Sequence, residues 1–333
     1  MSVNLASTTR EMWDATLEDE VILALPLVAM MVEHETLEVK GTKIKKTVVM
    51  DDSESLAQDY EANEPMTGGE KTVLGTAEWT YKKFQLPCIY DCDTEIENQD
   101  ASKIEAPIDE VEATVEAAQD GARRHLNTLL YGAAADASKK TFQGLRSALT
   151  HDATYGGLAR ATTVTRPWWQ SGSLDGTYTD QGTAVSASIA NVRKAAIICG
   201  RHAKANQHLY AFCGETIFSK LKSQVEARMQ YTVEGANLVK YGFKSFMIDN
   251  QIEIVMDSYL TITGATTDAY FFLLDPTSWR LRISPKRNFR MTPFKWQGEQ
   301  LNGLDRYLAR ILVAGNFVCH APNKNFFLSN MSN

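Results

Sequence analysis

Two carboxylates one residue apart, Asp91 and Asp93, followed by Thr94, are the strongest chemical signal in the chain. An aspartate placed after an apolar run such as Leu86–Tyr90 can act as nucleophile toward a phosphoryl group. The second carboxylate then serves as general acid/base, and Mg²⁺ offsets the phosphate charge. The surrounding pattern offers a simpler account. Asp91, Asp93, Glu95 and Glu97 share one face of an extended segment, and Tyr90, Cys92, Thr94 and Ile96 share the other, as on a solvated strand. The downstream Lys and paired-Asp elements that phosphoryl transfer of this kind needs are not found. A single metal held by all four carboxylates fails on distance, since side chains two apart on a strand stand about 7 Å apart.

Other motifs carry less. The six histidines show no HExxH spacing, and His202 and His208 read as surface or helix-end residues. There is no GxGxxG and no GxxxxGK[ST]; Gly156-Gly157 reads as a turn, and Gly172-Ser173 does not continue as a nucleophile elbow. No catalytic, cofactor-binding or metal-binding residue is assigned, and no cofactor is expected.

The elements that would have to position any site are unusual. Pro107–Tyr131 places Ile108, Val111, Val115, Ala118, Ala122, Leu126 and Leu129 at three-and-four spacing, which predicts a helix of about 40 Å. Pro107 suits its first turn, acidic residues crowd its N-terminal half, and Gly132 follows as a stop. Before it lies a long β-rich stretch. Val73, Ala77, Trp79 and Tyr81 alternate with Thr72, Thr76, Thr80 and Lys82; Pro65 and Gly68-Gly69 mark a turn. Taken as one strand, Lys71–Leu86 would span about 50 Å and would need a neighbouring subunit to lie on.

Thr8–Glu11 has the form of a capping box, with Trp13, Leu17 and Val21 following at helical spacing, and Pro26 should end or bend a helix begun there. Thr141–Leu149 reads as a connector and short helix, and 150–186 as an irregular, ordered loop. An α/β lobe follows, with helices over Ser188–Ala205 and Glu215–Gln230 and strands at Leu209–Cys213, Ile252–Met256 and Ala269–Leu274. Leu308–Val318 predicts a long strand, and Phe326–Leu328 a short closing one.

Composition narrows the function classes. The chain of 333 residues is 44% hydrophobic and 23% charged, as a folded protein with a sizeable core would be. A net charge of −7 argues against a dedicated nucleic-acid binder. The five cysteines form no CxxC pair, which favours a reducing compartment. Val21–Val32 is too short to span a bilayer and reads as buried protein surface. Charge is segregated: 50–116 is acidic and 279–310 basic, which suits contact between identical subunits.

In order and proportion the parts resemble the major capsid proteins of tailed bacteriophages with the Hong Kong 97-like fold. The pieces that carry the likeness are Thr141-Phe142-Gln143-Gly144-Leu145 after the long helix and the ending Ala309-Arg310 through Phe317, Pro322, Phe326 and Leu328. The resemblance implies an α+β Hong Kong 97-like capsid fold. It has an N-terminal arm (1–36), an extended β-hairpin or E-loop (37–97), and a P-domain with spine helix 107–131 and connector loop (98–186). An α/β A-domain (187–275) and a return to the P-domain with the C-terminal strand (276–333) complete it.

The same resemblance implies a non-enzymatic protein that self-assembles through pentamers and hexamers into an icosahedral shell around double-stranded DNA. Its partners would be identical subunits, a separate scaffolding protein, a portal and decoration proteins, with no membrane. Its place would be the virion, assembled in the host cytoplasm. Expected subunit-contact residues are Trp13, Met66, Gly68, Gly69, Trp79, Tyr81, Arg280, Arg282, Arg287 and Arg290, with Trp79 and Tyr81 buried against a neighbour. Lys71 stands where a lysine–asparagine cross-link donor would, but no asparagine matches it and no cross-link is expected. Two alternatives stand beside this reading. One is an encapsulin-type compartment shell that packages enzyme cargo. The other is a haloacid-dehalogenase-like phosphatase using Asp91 and Asp93.

Overall fold

The computed structural model describes residues 26, 27, 30, 43–49, 57, 59–61, 64, 74–91, 106–134, 138, 140–151, 154–160, 169–175, 183–201, 208–226, 245–249, 251–257, 259, 260, 269–297 and 306–332. The capping box and Trp13, the turn with Met66, Gly68 and Gly69, Lys71, and Cys92–Glu97 lie outside these residues. Leu27 and Met30 are helical and fully buried, and Pro26 is itself helical.

Strands β1 (Lys43–Val49) and β2 (Leu74–Thr80) form an antiparallel hairpin, with Lys43 opposite Thr80 and Val49 opposite Leu74. Ile44, Ala77 and Trp79 are buried, while Lys43, Lys45, Thr76 and Thr80 are exposed, as period-two alternation requires. Glu78 on the outer face pairs with Lys43 at 2.9 Å and Lys45 at 2.6 Å.

At Tyr81 the strand breaks. In β3 (Lys82–Asp91) the buried set is Lys82, Cys88 and Tyr90, so the inward positions move from odd to even numbers. One residue left out of the ladder flips every following side chain to the other face. The single strand expected over Lys71–Leu86 is therefore not formed. The ribbon also needs no neighbour beyond Thr80, because β3 pairs along its whole length with β12 (Arg306–Cys319) of its own chain. Pro87 sits in this edge strand, where its missing N–H breaks no ladder bond.

Helix α1 (Ala106–Tyr131) begins one residue before the expected start and ends where predicted. Its buried stripe is Val115, Ala118, Ala122, Leu126 and Leu129. The helix lies on β3 and runs against it: Phe84 meets His125 at 5.0 Å, Leu86 packs on Gly121, and Cys88 Sγ lies 3.8 Å from Thr114 O. Helix α2 (Leu145–Leu149) follows the connector, with Leu145, Ala148 and Leu149 fully buried. Buried Arg160 donates to Ser147 O and Ala148 O at 2.8 and 2.6 Å, satisfying carbonyls that a helix end leaves open.

The second lobe holds β4 (Val185–Ser186), α3 (Ile189–Gly200), β5 (Leu209–Cys213), α4 (Glu215–Glu226), β6 (Ser245–Ile248), β7 (Ile252–Met256) and β8 (Phe271–Leu274). Ser188 caps α3 by accepting from Asn191 N at 3.3 Å. With β13 (Phe326–Leu328) the strands form a sheet in the order β13-β8-β5-β7-β6, parallel only between β5 and β7. Strands β13, β8, β5 and β7 are buried on both faces, and β6 at the edge is half-buried. Ala211, Cys213, Ile254 and Leu273 pack with α3 and α4, while Phe212, Val255, Phe272 and Leu274 join the core around α1. Tyr131, at the end of α1, donates to the buried Asp257 carboxylate at 2.7 Å and ties the two lobes. Burial raises the Asp257 pKa above the ordinary carboxylate value.

The remaining strands, β9 (Trp279–Ile283), β10 (Arg290–Met291) and β11 (Lys295–Trp296), line the other edge of β12, all antiparallel. β12 is thus the axis of a five-stranded sheet. Gly315 sits where β3 and β9 flank it together, and a Cβ there would lie 2.4 Å from Arg282 O. Short β14 (Met331–Ser332) closes on β4.

Candidate functional site

The feature that stands apart from the two cores is the root of the β1–β2 hairpin. Trp79 is 1% exposed. It is covered by Tyr155, Trp169 and His320 at ring distances of 5.6, 6.4 and 5.9 Å. The expectation that Trp79 is buried against a neighbour is corrected: Tyr155, Gly156, Trp169 and His320 of its own chain cover it. Gly156 has φ +62, and a Cβ there would stand 2.9 Å from the Trp79 ring, so both backbone and space call for glycine. Glu78 N donates to Gly156 O at 2.9 Å, and Asn316 Nδ2 donates to Thr80 O at 3.0 Å. Trp169 Nε1 donates to Tyr155 O at 3.0 Å, and Tyr155 OH accepts from Cys319 N at 2.7 Å. These bonds fix the hairpin to the body at its root.

Farther out, the hairpin turns to solvent. Leu74 is 58% exposed, and in the acidic segment beyond it Tyr60 is 64% exposed beside exposed Asp59, Glu61 and Glu64. Tyr60 and Leu74 are thus two of the exposed large hydrophobic side chains among the described residues. Trp296, 47% exposed on β11, was not singled out from the sequence; its place in the basic 279–310 run masked it.

The expected basic residues separate into two groups. Arg280 and Arg282, on β9, are partly buried near the hairpin root. Arg287 and Arg290 are exposed farther along, on the turn after β9 and on β10. Tyr81 is half-buried against its own core. The structure adds three residues that sequence reading missed: Lys46, His320 and Lys324. Lys46 had a signal, since it shares the strand face of buried Ile44. The other two are brought in only by tertiary folding.

Burial, with the charges of Lys46, Arg282 and Arg280, pushes the His320 pKa down to about 3. The unfolded imidazole titrates near ~6.5. Between these values the unfolded chain binds the extra proton, so stability is full above ~6.5 and falls as pH drops toward 3. Urea melts at pH 7, 5.5 and 4.5 should show His320→Gln losing less stability than wild type, by about 1 kcal/mol per pH unit. Parallel slopes would refute this.

Asp91 ends β3 as an exposed edge-strand residue in an antiparallel sheet, opposite Arg306. Strand-end sites in α/β folds lie instead at the carboxyl ends of parallel strands. Among the described residues no group of three or more His, Cys, Asp or Glu could hold a metal ion. Cys88, Cys199, Cys213 and Cys319 are buried free thiols, and burial pushes Cys88 up to about 11. Among the described residues no helix is long and apolar enough to cross a membrane.

This architecture matches solved shells. The cyanophage A-1(L) capsid asymmetric unit aligns at a TM-score of 0.57 and 18% identity, over 92% of this chain and 93% of that chain. A native GTA particle capsid, computed with C5 symmetry, aligns at 0.52 and 8%, over 91% and 90%. The capsid of Myoviridae phage XM1 aligns at 0.51 and 10%, over 90% and 91%. No protein-family model matches the chain, and no curated protein sequence matches it.

Proposed function

Because the chain has the α+β fold of tailed-phage major capsid proteins, we propose that it is the repeating subunit of a protein shell, a structural protein and not an enzyme. The observation that carries this reading is coverage: the likeness to the cyanophage capsid subunit takes in 92% of this chain and 93% of the other, so the shared fold spans nearly the whole of both. The hairpin supports it, being seated by its own chain at the root and exposed beyond.

On this reading identical subunits form pentamers and hexamers that close into an icosahedral virion shell around double-stranded DNA. A separate scaffolding protein, a portal and decoration proteins would complete the particle in the host cytoplasm. The hairpin 43–80 acts as the extended loop that reaches a neighbour. The sheet on β12 with α1 forms the P-domain, and the lobe around β5 and β7 the A-domain. A net charge of −7 fits a container, which should hold its genome without tight phosphate contacts.

Negative-stain electron microscopy with a sedimentation profile of the purified protein tests the proposal. Closed shells or five- and six-membered rings, sedimenting far ahead of a 37.1 kDa chain, are expected. A monodisperse monomer or dimer at every salt concentration would overturn it.

A further inference from the structure

The sheet built on β12 has one face under α1 and one face toward solvent. Directly opposed residues of paired strands share a face, so the register assigns each side chain. The covered face pairs Phe84 with Val313, Leu86 with Ile311 and Cys88 with Ala309, and α1 lies on it. The other face pairs Lys83 with Ala314, Gln85 with Leu312, Pro87 with Arg310, Ile89 with Leu308 and Asp91 with Arg306. Across the second edge of β12, Arg290 stands opposite Leu312 and Lys295 opposite Leu308, which adds both to that face. Its outer members are open: Lys83, Pro87, Arg290, Lys295 and Arg310 are exposed, and Ile89 is 43% exposed. Charge here is one-sided. Among the described residues of these strands, Lys83, Arg290, Lys295, Arg306 and Arg310 share the face with one carboxylate, Asp91. Arg290 and Lys295 are each diagonal to Arg310, an interval of about 7–8 Å that long side chains bridge.

We propose that this open face docks the acidic segment 51–64 of a second copy of the chain. The segment holds Asp51, Asp52, Glu54, Asp59, Glu61 and Glu64 and neither lysine nor arginine. In its own chain Asp59, Glu61 and Glu64 stay exposed, so its own sheet does not take them. Carboxylates two apart on an extended chain stand about 7 Å apart. Asp59 and Glu61 therefore match the interval between Arg310 and either diagonal cation. Guanidinium forks at Arg290, Arg306 and Arg310 suit carboxylate oxygens, and Pro87 and Ile89 beside them give up apolar surface on contact. The docking rests on the shell reading proposed above. Segment 51–64 lies between β1 and β2, beyond the Val49–Leu74 end of the hairpin, so the part that reaches out in one subunit meets the sheet of another.

The test is fluorescence anisotropy of a labelled peptide of residues 51–64, titrated with the unassembled full chain at low salt. Saturable binding that weakens as salt rises is expected. Arg290→Glu with Arg310→Glu should weaken it about fivefold or more. The Asp59→Lys, Glu61→Lys peptide should recover binding to that variant and not to wild type. Both arginines are exposed, so the variant should fold, and an unchanged Tm checks that it does. Lys194→Glu with Arg201→Glu, exposed on and just after α3, is the charge-matched control and should bind the native peptide as wild type does. No binding, an equal loss in the control, or no recovery by the reversed peptide overturns the docking. So does a thymidine oligonucleotide of equal length that binds wild type more tightly than the peptide, since the face would then serve a phosphate backbone. Peptide binding without shells or rings would leave the docking and sink the shell reading. Shells from a chain that binds no peptide would do the reverse.

Discussion

Gly144→Ala should destabilise the chain by about 3 kcal/mol or more, enough to lower soluble yield sharply. The residue has an ordinary extended backbone, φ −86 and ψ −173, so the requirement is for space. A Cβ there would stand 2.5 Å from both Leu129 O and Leu130 O and 2.6 Å from Gly132 N. All three are backbone atoms at the end of α1 and cannot swing away as a side-chain tip could. Relief would require the connector to lift from the helix. That would draw out Leu145, which is fully buried, and strain the Arg160 bonds to α2. Chemical denaturation of the unassembled protein measures the loss. A variant within 0.5 kcal/mol of wild type, the range of ordinary surface changes, would show that the connector yields more easily than this packing implies.

Asn325→Leu should cost about 2–6 kcal/mol although it keeps the number and branching of side-chain heavy atoms. Asn325 is fully buried and serves three segments at once. Its Oδ1 accepts from Asp275 N at 2.9 Å and Trp279 Nε1 at 2.8 Å, and its Nδ2 donates to Ala321 O at 2.8 Å. Ser278 Oγ lies 2.9 Å from Nδ2 and completes the network. Leucine would leave two donors, Asp275 N and Trp279 Nε1, without partners, each costing about 1–3 kcal/mol when buried, while Ala321 O keeps the bond from Lys324 N. Trp279 is itself a reporter, since its indole would lose its acceptor while keeping its stack on Phe317 at 4.6 Å. A near-wild-type melt with a shifted tryptophan emission would mean that water fills the gap, and would refute the stated cost.

Local pattern carried most of the architecture. Leu209–Cys213, Ile252–Met256 and Phe326–Leu328 form strands with the bounds their apolar runs suggest, because strands buried on both faces read as continuous hydrophobic stretches. The spine helix was legible from its stripe. The break at Tyr81 was legible too, in principle: inward residues are odd through Trp79 and even by Cys88 and Tyr90, and one strand cannot do both. What no local pattern holds is the pairing of β3 with β12, or the loop that covers Trp79.

The pairing of β3 with β12 also sets an order of events during synthesis. Thr80 and the Asn316 amide that holds it are 236 residues apart. At ribosomal speeds of about 5–20 residues per second, the hairpin and β3 wait roughly 10–50 s for their partner strand. During that time the edge of β3 that β12 will cover is an open template, and Trp79 lacks the part of its lid that His320 supplies. The projecting hairpin therefore acquires a fixed direction only once nearly the whole chain exists. On the shell reading proposed above, the hairpin cannot be aimed at a neighbour before Asn316 has been made and folded onto Thr80.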